Sequence, residues 1–187
     1  MRLAVIIGST RPGRFGPTVA NWLAEQAAKQ FEVDLVDLAT ANLPAGLPDA
    51  DEEAPREVAA VGTRLAAADA FAVVTPEINC SFPATLKTAL DWYYDEWHAK
   101  PVAIVSYGRE SGGCYATAQL RQVFSELQAV TIRNTVALPC YWEQFTADGG
   151  WPRPSAGYEA SAKLMLDQLV WWAAALQDAR KRRPYRH

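Results

Sequence analysis

Three short segments concentrate the residues of this chain that could hold an anion or a flat ligand. The first, Gly8-Ser-Thr-Arg-Pro-Gly-Arg-Phe-Gly16, lies between an apolar run and a helical pattern. Ser9, Thr10 and Arg11 offer donors beside the backbone N–H groups of a helix start, a combination that favours an anion. Arg11 or Arg14 can grip a phosphate with two hydrogen bonds. Gly8 and Gly13 imitate the spacing of a nucleoside-triphosphate loop, but Arg14-Phe15 stands where that loop needs Lys followed by Ser or Thr. Nor do Gly8, Gly13 and Gly16 fit the dinucleotide fingerprint. A single phosphate on a larger ligand fits better. The second segment, Thr75-Pro-Glu-Ile-Asn-Cys-Ser-Phe-Pro83, carries Asn79. Its amide and the nearby backbone can pair with a planar heterocycle that has both donors and acceptors. The third, Ser106-Tyr-Gly-Arg-Glu-Ser-Gly-Gly113, sets small residues, Gly112 and Gly113 among them, against a flat ligand. Each segment taken singly is also readable as a ligand-free turn or a helix cap.

The surrounding elements bring these segments together. Continuous apolar runs at Leu3 to Ile7, Ala70 to Thr75 and Pro101 to Tyr107 predict strands buried on both faces. Alternation over Phe31 to Leu38 predicts a strand nearer the sheet edge, and Ile132 to Leu138 supplies a fifth. Helical spacing predicts helices over Pro17 to Gln30, Glu57 to Ala68, Pro83 to Trp97, Gly112 to Gln128 and Tyr158 to Arg180. Residues 41–56 and 139–157, rich in Pro and Gly, read as irregular connections. The alternation predicts an α/β fold: a doubly wound five-stranded parallel sheet with helices on both faces, in a single domain over residues 1–180. A basic tail, 181–187, follows. Ligands on such sheets sit at the carboxyl ends of the strands, where the chain order reverses. All three segments leave those ends.

Together these motifs resemble the NADPH-dependent FMN reductase family, whose fold is flavodoxin-like. The resemblance rests on Gly8-Ser-x-Arg11, on Pro76-Glu77-x-Asn79 followed by Ser81-x-Pro83, and on Leu86-Lys-x-Ala-Leu-Asp-Trp92. Ser106-Tyr-Gly108 with Ser111-Gly-Gly113 completes it. The resemblance implies a bound FMN reduced by NADPH or NADH, with a small-molecule electron acceptor such as a quinone or free flavin. It implies that Ser9, Arg11, Arg14, Phe15 and Gly16 hold the phosphate and ribityl chain. Pro76, Glu77, Asn79 and Ser81 would border the isoalloxazine ring, as would Ser106, Tyr107 and Gly108. Ile78 and Cys80 share that ring-side loop but depart from the family pattern, which commonly has Tyr where Ile78 stands. Arg109-Glu110 and Cys114-Tyr115 depart as well, near the same face, and bear on which acceptor fits.

Composition narrows the alternatives. The 187 residues are 50% hydrophobic and 21% charged, with a net charge of −3, which fits neither a nucleic-acid binder nor a disordered acidic chain. Cys80, Cys114 and Cys140 are too scattered for a zinc site or disulfide framework, and they suit a reducing cytoplasm. No signal peptide precedes the first strand, and Leu169 to Leu176 is too short an apolar run for a membrane. Cys80 reads as a small apolar filler, His98 as a surface or interface residue, and Glu77 and Asp91 as hydrogen-bonding groups rather than acids. Trp92, Tyr93, Tyr94 and Trp97 exceed what one helix face can pack, so they predict a homodimer interface, with tetramers open. Two other functions fit the motifs: a flavodoxin-type electron carrier, and a non-redox descendant that binds another ligand or a partner protein. Arg11, Arg14 and the mild net charge argue against the carrier, whose surface is strongly acidic.

Overall fold

Unbroken apolar runs form the centre of the sheet. β1 (Arg2–Ile7), β3 (Ala70–Pro76) and β4 (Pro101–Gly108) lie side by side in parallel, almost wholly buried. The computed structural model describes residues 1–46, 55–144, 150, 151 and 156–186. Side chains along β1 alternate between two cores. Leu3, Val5 and Ile7 face α1 (Gly16–Ala27) and α5 (Ala156–Arg182). Ala4 and Ile6 face α2 (Arg56–Ala67), α3 (Ala84–Asp91) and α4 (Cys114–Glu126). β2 (Glu32–Asp37) closes one edge beside β1, where its acidic residues can reach solvent. The order β2-β1-β3-β4 reverses direction between β1 and β3, the flavodoxin-like arrangement expected.

The fifth position is broken in two. Val130–Thr131 (β5) pairs with the start of β4, and Val136–Pro139 (β6) with its end. The single strand expected over Ile132 to Leu138 is interrupted because Asn134 turns to α5. Its N–H donates to Gln168 Oε1 at 2.9 Å instead of to the ladder.

The helix expected from Pro83 to Trp97 also divides. Pro83 caps the helix rather than opening it, and α3 stops at Asp91. A 3₁₀ turn, Asp95–Trp97, follows. The indole of Trp97 donates to Tyr93 O at 2.9 Å, taking the carbonyl that a continuing helix would offer to the Trp97 N–H. That N–H goes to Tyr94 O instead.

This rearrangement divides the four aromatic residues between core and surface. Trp97 is 1% exposed and packs edge-on against Phe71 and Phe124. Tyr93 is buried with its hydroxyl on Val58 O, and the Trp92 indole donates to Pro44 O. Tyr94 alone of the four stays exposed. The core thus takes two of the four aromatic side chains, and Trp92 and Tyr94 remain partly or largely exposed.

At the C-terminus α5 runs two residues past Arg180, into the expected tail. Arg180 Nη1 donates to Ala99 O at 2.5 Å, and the Tyr185 hydroxyl donates to Gln128 Oε1 at 2.8 Å, so this end docks on the fold. His98, expected at the surface or an interface, is 8% exposed beneath Tyr94 and Tyr185. Of the two irregular connections, residues 47–54, 145–149 and 152–155 lie outside the described residues, as does His187. Among the described residues no helix is long and apolar enough to cross a membrane.

Candidate functional site

The three segments do converge at the carboxyl ends of β1, β3 and β4. Gly8 N–H donates to Val74 O and Glu77 N–H to Tyr107 O, which fixes the first loop to β3 and the second to β4. Gly8 lets these segments approach closely: a Cβ would lie 2.9 Å from Leu86 Cδ2 and 3.3 Å from Val74 O.

The first loop leads into α1, whose cap residue, Phe15, supplies no side-chain hydrogen bond. Pro17 has no N–H, and Thr18 and Val19 donate to Phe15 O at 3.0 and 3.4 Å, so the Gly16 N–H and the helix dipole are what α1 offers an anion. The two arginines divide. Arg14 is drawn to Asp37 at the end of β2 in a half-buried ion pair. Asp37 also accepts from Ala39 N–H at 3.0 Å, so both carboxylate oxygens are used. Arg11 is exposed and makes no ion pair among the described residues. Ser9 is 3% exposed, and Thr10 Oγ1 reaches Thr85 Oγ1 at 3.3 Å. Phe15 stacks on Tyr141 at 4.5 Å between ring centres, with Trp151 edge-on at 4.9 Å. Gly16 opens α1 directly over Tyr107: a Cβ there would sit 2.9 Å from Ile7 Cγ2 and 3.3 Å from the Tyr107 hydroxyl.

The second loop is a two-residue hairpin. Ile78 N–H donates to Ser81 O at 2.8 Å and Ser81 N–H to Ile78 O at 2.9 Å. Asn79 (φ 49°) and Cys80 (φ 61°) both take left-handed backbone, the type I′ signature. Asn tolerates this conformation well, whereas Cys seldom adopts it. Cys80 is exposed at the tip and is no core filler, which corrects that expectation.

α4 holds this hairpin at two points. Glu77 Oε2 accepts from the N–H groups of Tyr115 and Ala116 at 2.9 and 3.4 Å, and Oε1 accepts from Ser111 Oγ at 2.8 Å. One helical turn on, Gln119 donates to Cys80 O at 2.8 Å and accepts from Ser81 Oγ at 2.6 Å. The hydrogen-bonding role expected of Glu77 is thus the observed one. Asp91 has the same character, paired with Lys87 at 2.7 Å.

In the third loop Ser106 faces α4, donating to Gly112 O and accepting from Thr117. Gly113, at φ 91°, approaches Ser106 so closely that a Cβ would stand 2.5 Å from the serine Cβ. The next residue along β4, Tyr107, points to the opposite face, 2% exposed, edge-on to Phe15 and Tyr141. Gly108 backs onto Gly113 N, and Pro76 ends β3 beside it. Sequence reasoning missed Asp37 and Gln119, and within the 139–157 connection it did not single out Tyr141, which is packed, or Trp142, which is 47% exposed. Asp37 had a signal, an acid at the end of an edge strand. Gln119 had none without knowing which face α4 turns.

Comparison with known proteins agrees with this fold. Residues 1–143 match the family described as NADPH-dependent FMN reductase. An NAD(P)H-dependent FMN reductase of Schizosaccharomyces pombe is 38% identical over 149 residues, 74% of either chain. A quinone reductase of Escherichia coli K12 is 33% identical over 143 residues, 72% of this chain and 74% of that one. Among solved structures, the flavoenzyme NAD(P)H:(acceptor) oxidoreductase FerB of Paracoccus denitrificans superposes with a TM-score of 0.79 at 25% identity. The alignment covers 93% of this chain and 97% of that one. The chain belongs to the NADPH-dependent FMN reductase family.

Proposed function

We propose that this chain is an FMN-dependent oxidoreductase in which NADPH or NADH reduces FMN held by the three loops, for delivery of electrons to a small acceptor. Bound FMN would supply the chemistry, accepting hydride and passing on electrons. The protein's part is to hold and orient the ring and exclude water. The observation that carries this reading is the start of α1 at the sheet's switch point: a helix with no side-chain cap beside an exposed Arg11 that makes no ion pair among the described residues. These residues fit a single phosphate, which the helix N-terminus and one guanidinium suffice to bind.

In this proposal Ser9, Thr10, Arg11 and Gly16 serve the phosphate end. Arg14 acts through Asp37 as a brace, and Phe15 through its stack on Tyr141. Pro76, Glu77, Ile78, Asn79, Cys80 and Ser81 form one wall of the ring site, and Ser106, Gly108, Gly112 and Gly113 shape the other. A quinone acceptor is supported by the quinone reductase among the relatives. A cytoplasmic location is supported by three free thiols, two of them exposed. A homodimer is part of the proposal on the family resemblance, and sedimentation at micromolar protein distinguishes it from a monomer or tetramer.

Apoprotein titrated with FMN tests the core of the proposal. Saturation near one flavin per chain, followed by NADPH consumption on adding a quinone, supports it. Tight FMN binding without NADPH consumption would leave the electron-carrier function instead, and no flavin binding would leave the non-redox one.

A further inference from the structure

The least explained polar atom in the described fold is the Tyr107 hydroxyl. The ring is 2% exposed, wedged against Phe15 and Tyr141, and the oxygen, although close to Ser9, makes no well-formed hydrogen bond among the described residues. Phenylalanine would fill the same space without burying an unsatisfied group, so the hydroxyl carries a free-energy cost that the apoprotein does not recover. Such atoms call for a reason. Its surroundings supply one. The oxygen lies beside Ser9 and 3.3 Å from where a Cβ on Gly16, the first residue of α1, would stand. The guanidinium groups of Arg11 and Arg14 both exert their charge on it. Burial pushes the phenol well above its ordinary pKa, so it keeps its proton and can donate throughout the neutral range.

We infer that the Tyr107 hydroxyl donates to the phosphate end of the bound flavin, making this residue a determinant of selectivity for FMN over riboflavin. The inference rests on the reading that the three loops hold FMN. It reassigns Tyr107 from the ring side, where the sequence resemblance had put it. The alternation of β4 is the reason: Ser106 turns to α4 and the third loop, so Tyr107 must turn to α1 and the first.

Tyr107→Phe tests this, with apoprotein stability and the affinities for FMN and riboflavin measured side by side. The phosphorus NMR resonance of bound FMN is the spectroscopic check. The expected result is FMN binding weakened by about ten- to a hundredfold, the range for a hydrogen bond to a charged group. Riboflavin affinity should not change, the phosphorus resonance should shift, and the apoprotein should melt at or above the wild-type temperature. Equal weakening of both flavins would return Tyr107 to the ring side and overturn the inference. Unchanged FMN affinity would mean that the hydroxyl serves a buried water, and a lower apoprotein melting point would mean a structural role. Wild-type protein that bound neither flavin would instead overturn the underlying reading, and this inference with it.

Discussion

Replacing Glu77 with Ala should destabilise the apoprotein by about 2–3 kcal/mol, because one carboxylate serves a helix and two loops. The residue before α4 is Gly113, which has no side chain to cap it. Glu77 supplies the cap from another segment, accepting from the second and third N–H groups of the helix. An N-cap is worth about 1 kcal/mol, and a negative charge at a helix N-terminus adds about 0.3–1 kcal/mol. The Ser111 hydroxyl on the other oxygen adds a charge-assisted bond, discounted from its usual ~1.5–3 kcal/mol because the site is only partly buried. For a chain of this length the loss corresponds to a fall in melting temperature of roughly 5–10 °C. Urea unfolding followed by circular dichroism measures it without any flavin present. Glu77→Gln keeps an acceptor oxygen but loses the charge, and should cost about 1 kcal/mol. An alanine variant within about 0.5 kcal/mol of wild type, the range of an inert surface substitution, would refute the reasoning.

The two arginines of the first loop should separate by function. Arg11→Ala should weaken FMN binding by about 1.5–3 kcal/mol in a fluorescence titration with little change in stability. Arg14→Ala, by stranding the half-buried Asp37, should lower unfolding free energy by about 1–3 kcal/mol and affect binding less. Lys100 gives a pH signature. Burial, reinforced by Arg180, lowers its pKa from 10.5 to about 8. Below pH 8 the lysine is charged whether the chain is folded or not. Between about 8 and 10.5 the unfolded chain binds the proton that the folded chain has released, so stability should rise with pH across that window. Urea titrations of wild type and Lys100→Met should show that rise in the wild type alone.

Most of the fold was legible because burial on both faces leaves an unmistakable record. Leu3 to Ile7, Ala70 to Thr75 and Pro101 to Tyr107 are apolar whichever way their side chains point. The misreadings share a cause, a side chain intervening in backbone hydrogen bonding. Gln168 takes the Asn134 N–H and splits the fifth strand, and the Trp97 indole takes the Tyr93 carbonyl and ends α3 early. Neither competition is written in local propensity. The site divides in the same way. Loop membership followed from composition and spacing, but the pairing of Arg14 with Asp37 and the clamp of Gln119 on the second loop join residues 23 and 38–39 positions apart. Cys80 misled because the hairpin signal is normally Asn-Gly, and a cysteine in left-handed backbone does not announce a turn.

The central claim is that these loops present FMN to a nicotinamide in a productive geometry. Anaerobic stopped-flow mixing of FMN-loaded protein with NADPH tests it most directly. The departures at Ile78 and Cys80 leave an apolar wall and a turn tied to α4 by Gln119, so alignment of the ring should survive them. The account predicts that the oxidised-flavin absorbance disappears within seconds, at a rate that saturates with NADPH. Flavin that stays oxidised for minutes at millimolar NADPH would contradict it.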